Sequence, residues 1–210
     1  MTTTDTPTAA PTLTRAMVRV LPDEDTLDAA CANTPDWMHP APNPFGVIFE
    51  GALSPEVCDA MIAAVLTEDT YSVSRCGAQT RQYEDEHLHA LEPLTRLAHH
   101  ANTHSWGYDV DPDPHAWLQS YTSGGHYKAH MDAAIGQSRK VTAVAMVCDP
   151  ADYEGGDLTI RAIPDFAEYV VPRARGTVVV FQPWLIHDVG CVTAGTRRTV
   201  NLGLWGPPLR

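Results

Sequence analysis

From Trp117 to Trp205 the chain is divided into short apolar runs, each closed by turn residues, and this punctuation limits the fold more than any other feature. The candidate strands are 117–121, 126–132, 141–148, 157–160, 167–171, 177–181, 185–192 and 198–205. Between them fall Ser-Gly-Gly, Ala-Ile-Gly-Gln, Tyr-Glu-Gly-Gly, Ile-Pro-Asp, Arg-Gly and Ala-Gly-Thr. Runs of this length are too short for stable helices, and Gly and Pro at their ends favour reversal of the chain. Many short strands at even spacing predict a mainly β architecture, a jelly-roll barrel.

Two helices are expected to flank that barrel. Ser54-Pro55-Glu56 offers a capping hydroxyl, a proline at the first helical position and an acid in the first turn. The helix then runs through Val57, Met61, Val65 and Leu66. A second helix is expected over 91–104, where Leu91, Leu94, Leu97, Ala98 and Ala101 form one apolar stripe. Phe45-Gly-Val-Ile-Phe reads as a short strand, and residues 68–89 as a polar loop with at most one strand. Residues 1–43 are rich in Thr, Ala and Pro and read as a flexible segment, leaving 44–210 as one catalytic domain.

Charge and cysteine usage exclude several partners. A net charge of −12 disfavours a nucleic-acid backbone or an anionic membrane surface, both of which need clustered Lys and Arg. No apolar run is long enough to span a bilayer, and the N-terminus lacks the apolar core of a secretory signal. The cysteines, Cys31, Cys58, Cys76, Cys148 and Cys191, are odd in number and form no CxxC pair, so a reducing cytoplasm is the expected home.

Histidine placement points to a metal. His130-Met-Asp132 lies on a predicted strand, where residues i and i+2 share a face, so an imidazole and a carboxylate can converge on one ion. Alone, such a triplet is common on protein surfaces. His187 lies near the end of the strongly apolar run Gly176-TVVVFQPWLIHDV, and there it is either a hydrogen-bonded core histidine or a third ligand. Two His and one carboxylate make the facial triad of non-haem Fe(II) oxygenases, which leaves three positions open. In the last strand, alternation puts Arg197, Thr199 and Asn201 on one face and Val200, Leu202 and Leu204 on the other. A buried Arg197 needs a carboxylate, supplied either by an internal salt bridge or by a ligand.

These residues resemble a known family. Tyr121-TSG-GH-Tyr127-KA-His130-M-Asp132 is similar to the Y-x-x-G-x-x-Y-x-x-H-x-D pattern of prolyl 4-hydroxylase-like Fe(II)/2-oxoglutarate oxygenases. RKVTAVAMVCDPADYEGGDLTI and GTVVVFQPWLIHDVGCVTAGTRRTVNLGLW resemble the bacterial PKHD-type branch, as do LSPEVCDAMI and WGYDV. The resemblance covers about residues 45–206. It implies a double-stranded β-helix, iron on His130, Asp132 and His187, and 2-oxoglutarate on Arg197 with Tyr127, Thr199 and Tyr121 beside it. It further implies O2 as co-reactant, ascorbate as a supporting reductant, and oxidative decarboxylation to succinate coupled to hydroxylation of an unactivated C–H bond. Strict alternation would set Tyr127 on the face opposite His130, so its implied role requires a bulge.

Other chemistries fit these residues less well. A halogenase would replace the carboxylate ligand, and Asp132 is present. A cupin-like zinc or manganese enzyme would not need Arg197, and a non-catalytic barrel would be expected to have lost a ligand. The expected substrate is a small molecule or amino acid, with a peptidyl, prolyl-type substrate as the alternative. Arg75 and Arg81, in the polar stretch before the barrel, are candidate contacts for an anionic substrate group, or else surface partners of Glu84, Asp85 or Glu86.

Overall fold

The computed structural model describes residues 17–20, 45–66, 71–73, 77–133, 138–161 and 168–208. Strands are numbered in chain order. The larger sheet contains β1 (Met17–Val20), β2 (Gly46–Phe49), β3 (Ser72–Val73), β4 (Gln79–Gln82), β5 (His115–Tyr121), β7 (Arg139–Met146), β11 (Val178–Phe181) and β14 (Arg197–Trp205). Its order is β1-β2-β11-β7-β14-β5-β4-β3. The smaller sheet, in the order β10-β9-β12-β6, comprises β10 (Glu168–Val170), β9 (Leu158–Arg161), β12 (Ile186–Val189) and β6 (Tyr127–His130). A short pair, β8 (Tyr153–Gly155) with β13 (Val192–Gly195), closes one end. The two sheets, antiparallel apart from the β1–β2 pair, wrap one interior as a double-stranded β-helix, the jelly-roll architecture expected from the strand spacing.

The larger sheet separates two cores, and the period-2 pattern of its strands decides which residue enters which. Val141, Ala143 and Ala145 of β7 join Val178 and Val180 of β11 and Val200, Leu202 and Leu204 of β14 in the outer core. The intervening Val144, Met146, Val179 and Phe181 face the barrel interior. Two helices cover the outer face. Helix α1 (Pro55–Leu66) starts as its capping sequence predicts, with the Val57 N–H donating to Ser54 Oγ at 3.4 Å, and it buries Cys58, Met61 and Val65. Helix α2 (Leu88–Ser105) begins earlier than its apolar stripe suggests and contains Pro93. An interior proline costs about 3 kcal/mol. Leu91, Leu94 and Leu97 are fully buried, and at roughly 1.5–3 kcal/mol each their burial outweighs that cost.

Two differences from the sequence reading matter. Met17–Val20, inside the segment read as flexible, pairs parallel with Gly46–Phe49 and extends the sheet beyond β2. The remainder of 1–43 lies outside the described residues. The stretch read as a loop with at most one strand holds two, Ser72–Val73 and Gln79–Gln82, and the latter pairs antiparallel with β5. Its sequence QTRQ carries no hydrophobic alternation, so only the pairing reveals it. Among the described residues no helix is long and apolar enough to cross a membrane.

Candidate active site

β6 and β12 run antiparallel and bring the two histidines together. His130 stands opposite His187, while Tyr127 stands opposite Val189. Three steps on β6 (130 − 127) therefore match two on β12 (189 − 187), which is a β-bulge. The extra residue turns Tyr127 onto the His130 side, with ring centroids 4.3 Å apart. This bulge resolves the conflict between strict alternation and a shared face.

Asp132 reaches the same point by a different route. The strand ends at His130, and the next residues are held because the Asp132 and Ala133 N–H groups both donate to the Pro183 carbonyl, at 2.8 and 2.9 Å. The Nε2 atoms of His130 and His187 then lie 3.5 and 3.8 Å from Asp132 Oδ1. One potential ligand atom from each residue falls within 4.8 Å of the other two. Both imidazoles are oriented from behind. His130 Nδ1 donates to the Lys128 carbonyl at 2.8 Å and His187 Nδ1 to the Leu185 carbonyl at 3.0 Å. A carbonyl can only accept, so each proton sits on Nδ1 and each Nε2 lone pair points into the cluster.

Electrostatics favour the metal-binding protonation states. Burial pulls the His187 imidazole down more strongly than the Asp132 charge raises it. Burial pushes the Asp132 carboxyl up, but the adjoining His130 imidazole, the Arg139 guanidinium, the His187 ring and the Thr142 hydroxyl outweigh it and hold the group well below the usual carboxylate range. A neutral imidazole and an ionised carboxylate are the forms that bind a metal.

At the deep end of the same cleft lies Arg197, only 1% exposed. Its guanidinium carbon sits 5.4 Å from the Tyr121 ring centroid, and Nη2 approaches Met146 Sδ at 3.7 Å. Nε and Nη1 are buried with no hydrogen-bond partner. The internal salt bridge considered from sequence is absent among the described residues. An isolated buried cation is costly, so these two donors call for an anion. Thr199, also buried, and Asn201 continue the polar face of β14, while Val200, Leu202 and Leu204 face the outer core. Gly156, with φ +69°, gives the arginine stem its room: a Cβ there would lie 2.8 Å from Arg197 Cδ and from Val192 Cγ2.

The cleft between triad and arginine has a volume of about 240 Å³. Its walls also include Thr80, Trp117, Gln119, Arg139, Val144, Leu158 and Val189, none of which the sequence singled out. Strand alternation could have marked Trp117 and Gln119 as companions of Tyr121. Arg139 carried no local signal. The two proposed substrate arginines fare differently. Arg75 lies outside the described residues. Arg81 does not line this cleft; it is paired in register with core Leu118 and its guanidinium carbon lies 5.2 Å from the Tyr71 ring. Its neighbour Thr80 takes the cleft-facing position, because adjacent strand residues point to opposite faces.

A barrel with two imidazoles and one carboxylate at one opening, and a guanidinium with two unpartnered donors at its base, could hold one metal ion beside an anion. Residues 116–205 match the model of the 2OG-Fe(II) oxygenase superfamily. A PKHD-type hydroxylase of Sphingopyxis alaskensis is 37% identical over 86 residues, covering 38% of each chain. The chain thus aligns with well under half the length of the first curated relatives it matches. In fold it is similar to a Pseudomonas putida prolyl-4-hydroxylase, with a TM-score of 0.67, 19% identity and coverage of 78% of this chain and 94% of that one. A non-haem alpha ketoglutarate dependent carbocyclase from nogalamycin biosynthesis gives 0.65 at 14% identity, covering 84% and 86%. The stretch that carries the His-Asp-His cluster and Arg197 is thus the part of the chain that matches the 2OG-Fe(II) oxygenase superfamily, and the curated proteins it is similar to are PKHD-type hydroxylases.

Proposed function

We propose that this protein is an Fe(II)- and 2-oxoglutarate-dependent dioxygenase that hydroxylates an unactivated C–H bond of a small molecule or amino acid. The observation that carries this reading is the pairing of two unsatisfied features in one cleft. Two Nε2 lone pairs and one carboxylate oxygen converge on one point, and a buried guanidinium at the base keeps two unpartnered donors. A divalent ion fits the first feature and a dicarboxylate tail the second.

In this reading His130, Asp132 and His187 hold the iron and Arg197 grips the 5-carboxylate of 2-oxoglutarate. Thr199 and Tyr127 line the path between them, and Tyr121 supports the guanidinium with its ring face. When bound, iron and 2-oxoglutarate supply the oxidising chemistry, with O2 consumed and succinate and CO2 released. The chain's own residues bind, orient and shield. The carbonyls of Lys128 and Leu185 hold the imidazoles in register, and Val144, Leu158 and Val189 give the cleft an apolar lining that limits water. Asp132 takes the coordination site that a halide would require, which supports hydroxylation over halogenation.

The cleft volume bears on the substrate. About 240 Å³ has room for 2-oxoglutarate and a side-chain-sized part of a substrate, a limit set by the described walls of the cleft. A free amino acid meets that limit, as does one residue of a peptide. Succinate release measured over the substrate-free background, with free amino acids in one series and peptides in another, tests the proposal. Stimulation by free amino acids is the expected result; stimulation by peptides alone would move the assignment to a peptidyl hydroxylase.

Gly156 offers a separate check on the anion site. Gly156→Ala places a methyl group against Arg197 Cδ on a left-handed backbone, a strain of about 1–3 kcal/mol. The variant should melt several degrees lower and bind 2-oxoglutarate several-fold more weakly, while retaining its metal. Titration calorimetry with cosubstrate and a thermal melt measure both effects.

A further inference from the structure

The two oxygens of Asp132 have different neighbours. Oδ1 faces both imidazole Nε2 atoms, at 3.5 and 3.8 Å. Oδ2 faces away from them and accepts from Thr142 Oγ1 at 2.7 Å and from Arg139 Nη1 at 2.6 Å. We propose that Arg139 and Thr142 are positioning residues that keep Asp132 a one-oxygen metal ligand, and that Gly203 is the space in which the Arg139 guanidinium is seated. The proposal rests on the metal-site reading above.

Coordination arithmetic gives the clamp its purpose. A facial triad with one oxygen from the carboxylate leaves three positions, which a chelating keto acid and O2 fill. A carboxylate free to rotate can place both oxygens on the ion and remove one of those positions. Two charge-assisted bonds to Oδ2 oppose that rotation.

The seat of Arg139 is built from three strands. The side chain starts at the first residue of β7 and is 8% exposed. Its guanidinium carbon lies 5.5 Å from the Trp117 ring of β5 and 5.7 Å from the Trp205 ring of β14. Gly203, two residues before Trp205, lies in the interior of β14, where glycine is disfavoured. A Cβ on Gly203 would stand 2.4 Å from Arg139 Nε, 2.7 Å from Nη2 and 2.9 Å from Cζ. Its backbone has no positive φ, so the missing side chain is what this position requires. Arg139 Nε is buried without a partner, which leaves the Asp132 contact and the two indole faces as the restraints on the fork.

Cobalt(II) titration, followed by its visible d–d absorption, tests the clamp without turnover. Thr142→Val, Gly203→Ala and Arg139→Ala should each weaken Co(II) binding by about ten- to a hundredfold, the usual effect of losing a group that orients a ligand. Each should also alter the absorption spectrum of the bound ion. Thr142→Ser and Arg139→Lys, which keep a donor at each place, should recover part of both. A purely structural role would lower the melting temperature and leave the spectrum of the bound ion at its native shape. Wild-type protein that binds Co(II) alongside variants with unchanged affinity and spectrum overturns the clamp alone. Wild-type protein that binds no Co(II) overturns the metal reading and the clamp together.

Discussion

His187→Ala should leave a folded protein that neither retains Fe(II) nor turns over. The residue is 4% exposed and supplies one of three converging ligand atoms, so its loss leaves two ligands at a site open to solvent at the cleft. A metal that contributes several kcal/mol to the barrier is then absent, and turnover should fall by about a thousandfold or more. Folding should survive. The truncation removes one hydrogen bond to the Leu185 carbonyl and some contact with Phe181, whose ring centroid lies 4.9 Å away. The bond itself accounts for roughly 1 kcal/mol, and the void for a few more at most. Metal content by elemental analysis, with circular dichroism as the control for folding, reads the result. Full activity with native iron content would remove His187 from the ligand set.

Arg197→Ala should show the complementary defect, with iron retained and 2-oxoglutarate lost. A charge-assisted contact to a buried carboxylate contributes about 1.5–3 kcal/mol, which converts to a ten- to hundredfold weaker cosubstrate affinity. The apo protein carries this guanidinium with two unpartnered donors, so cosubstrate should raise the wild-type melting temperature more than that of the variant. Arg198 is no substitute. Its position in β14 alternates to the other face, and its backbone N–H and carbonyl engage the Cys148 thiol at 3.1 and 3.4 Å. Unchanged 2-oxoglutarate affinity in Arg197→Ala would place the anion site elsewhere.

Much of this architecture is readable from the chain because period and punctuation are local properties. The alternation of Arg197, Thr199 and Asn201 against Val200, Leu202 and Leu204 sorts the two faces of β14 correctly. The spacing of Leu91, Leu94 and Leu97 finds the body of α2, though not its start, which a 3₁₀ turn at Asp85–His87 fixes. What stayed hidden depends on register between distant strands. The bulge that turns Tyr127 toward His130 is a property of the β6–β12 pair, and no pattern within YKAH reports it. The same holds for β4, a polar strand recognisable only by its partner β5. Arg139 and Gly203 are brought together by the pairing of β7 with β14, 64 positions apart in the chain (203 − 139). On β4 the cleft-facing residue is Thr80 rather than Arg81, an outcome of strand pairing that charge does not report.

The central claim is that one cleft binds Fe(II) and 2-oxoglutarate together, in contact. Adding 2-oxoglutarate to the Fe(II)-loaded protein under anaerobic conditions tests it most directly, because a 2-keto acid chelated to Fe(II) gives a visible charge-transfer band that neither component gives alone. The wild-type protein should give a saturable band at one equivalent of iron, lost in His187→Ala and shifted to higher 2-oxoglutarate concentration in Arg197→Ala. A wild-type protein that binds both components without developing that band would contradict it.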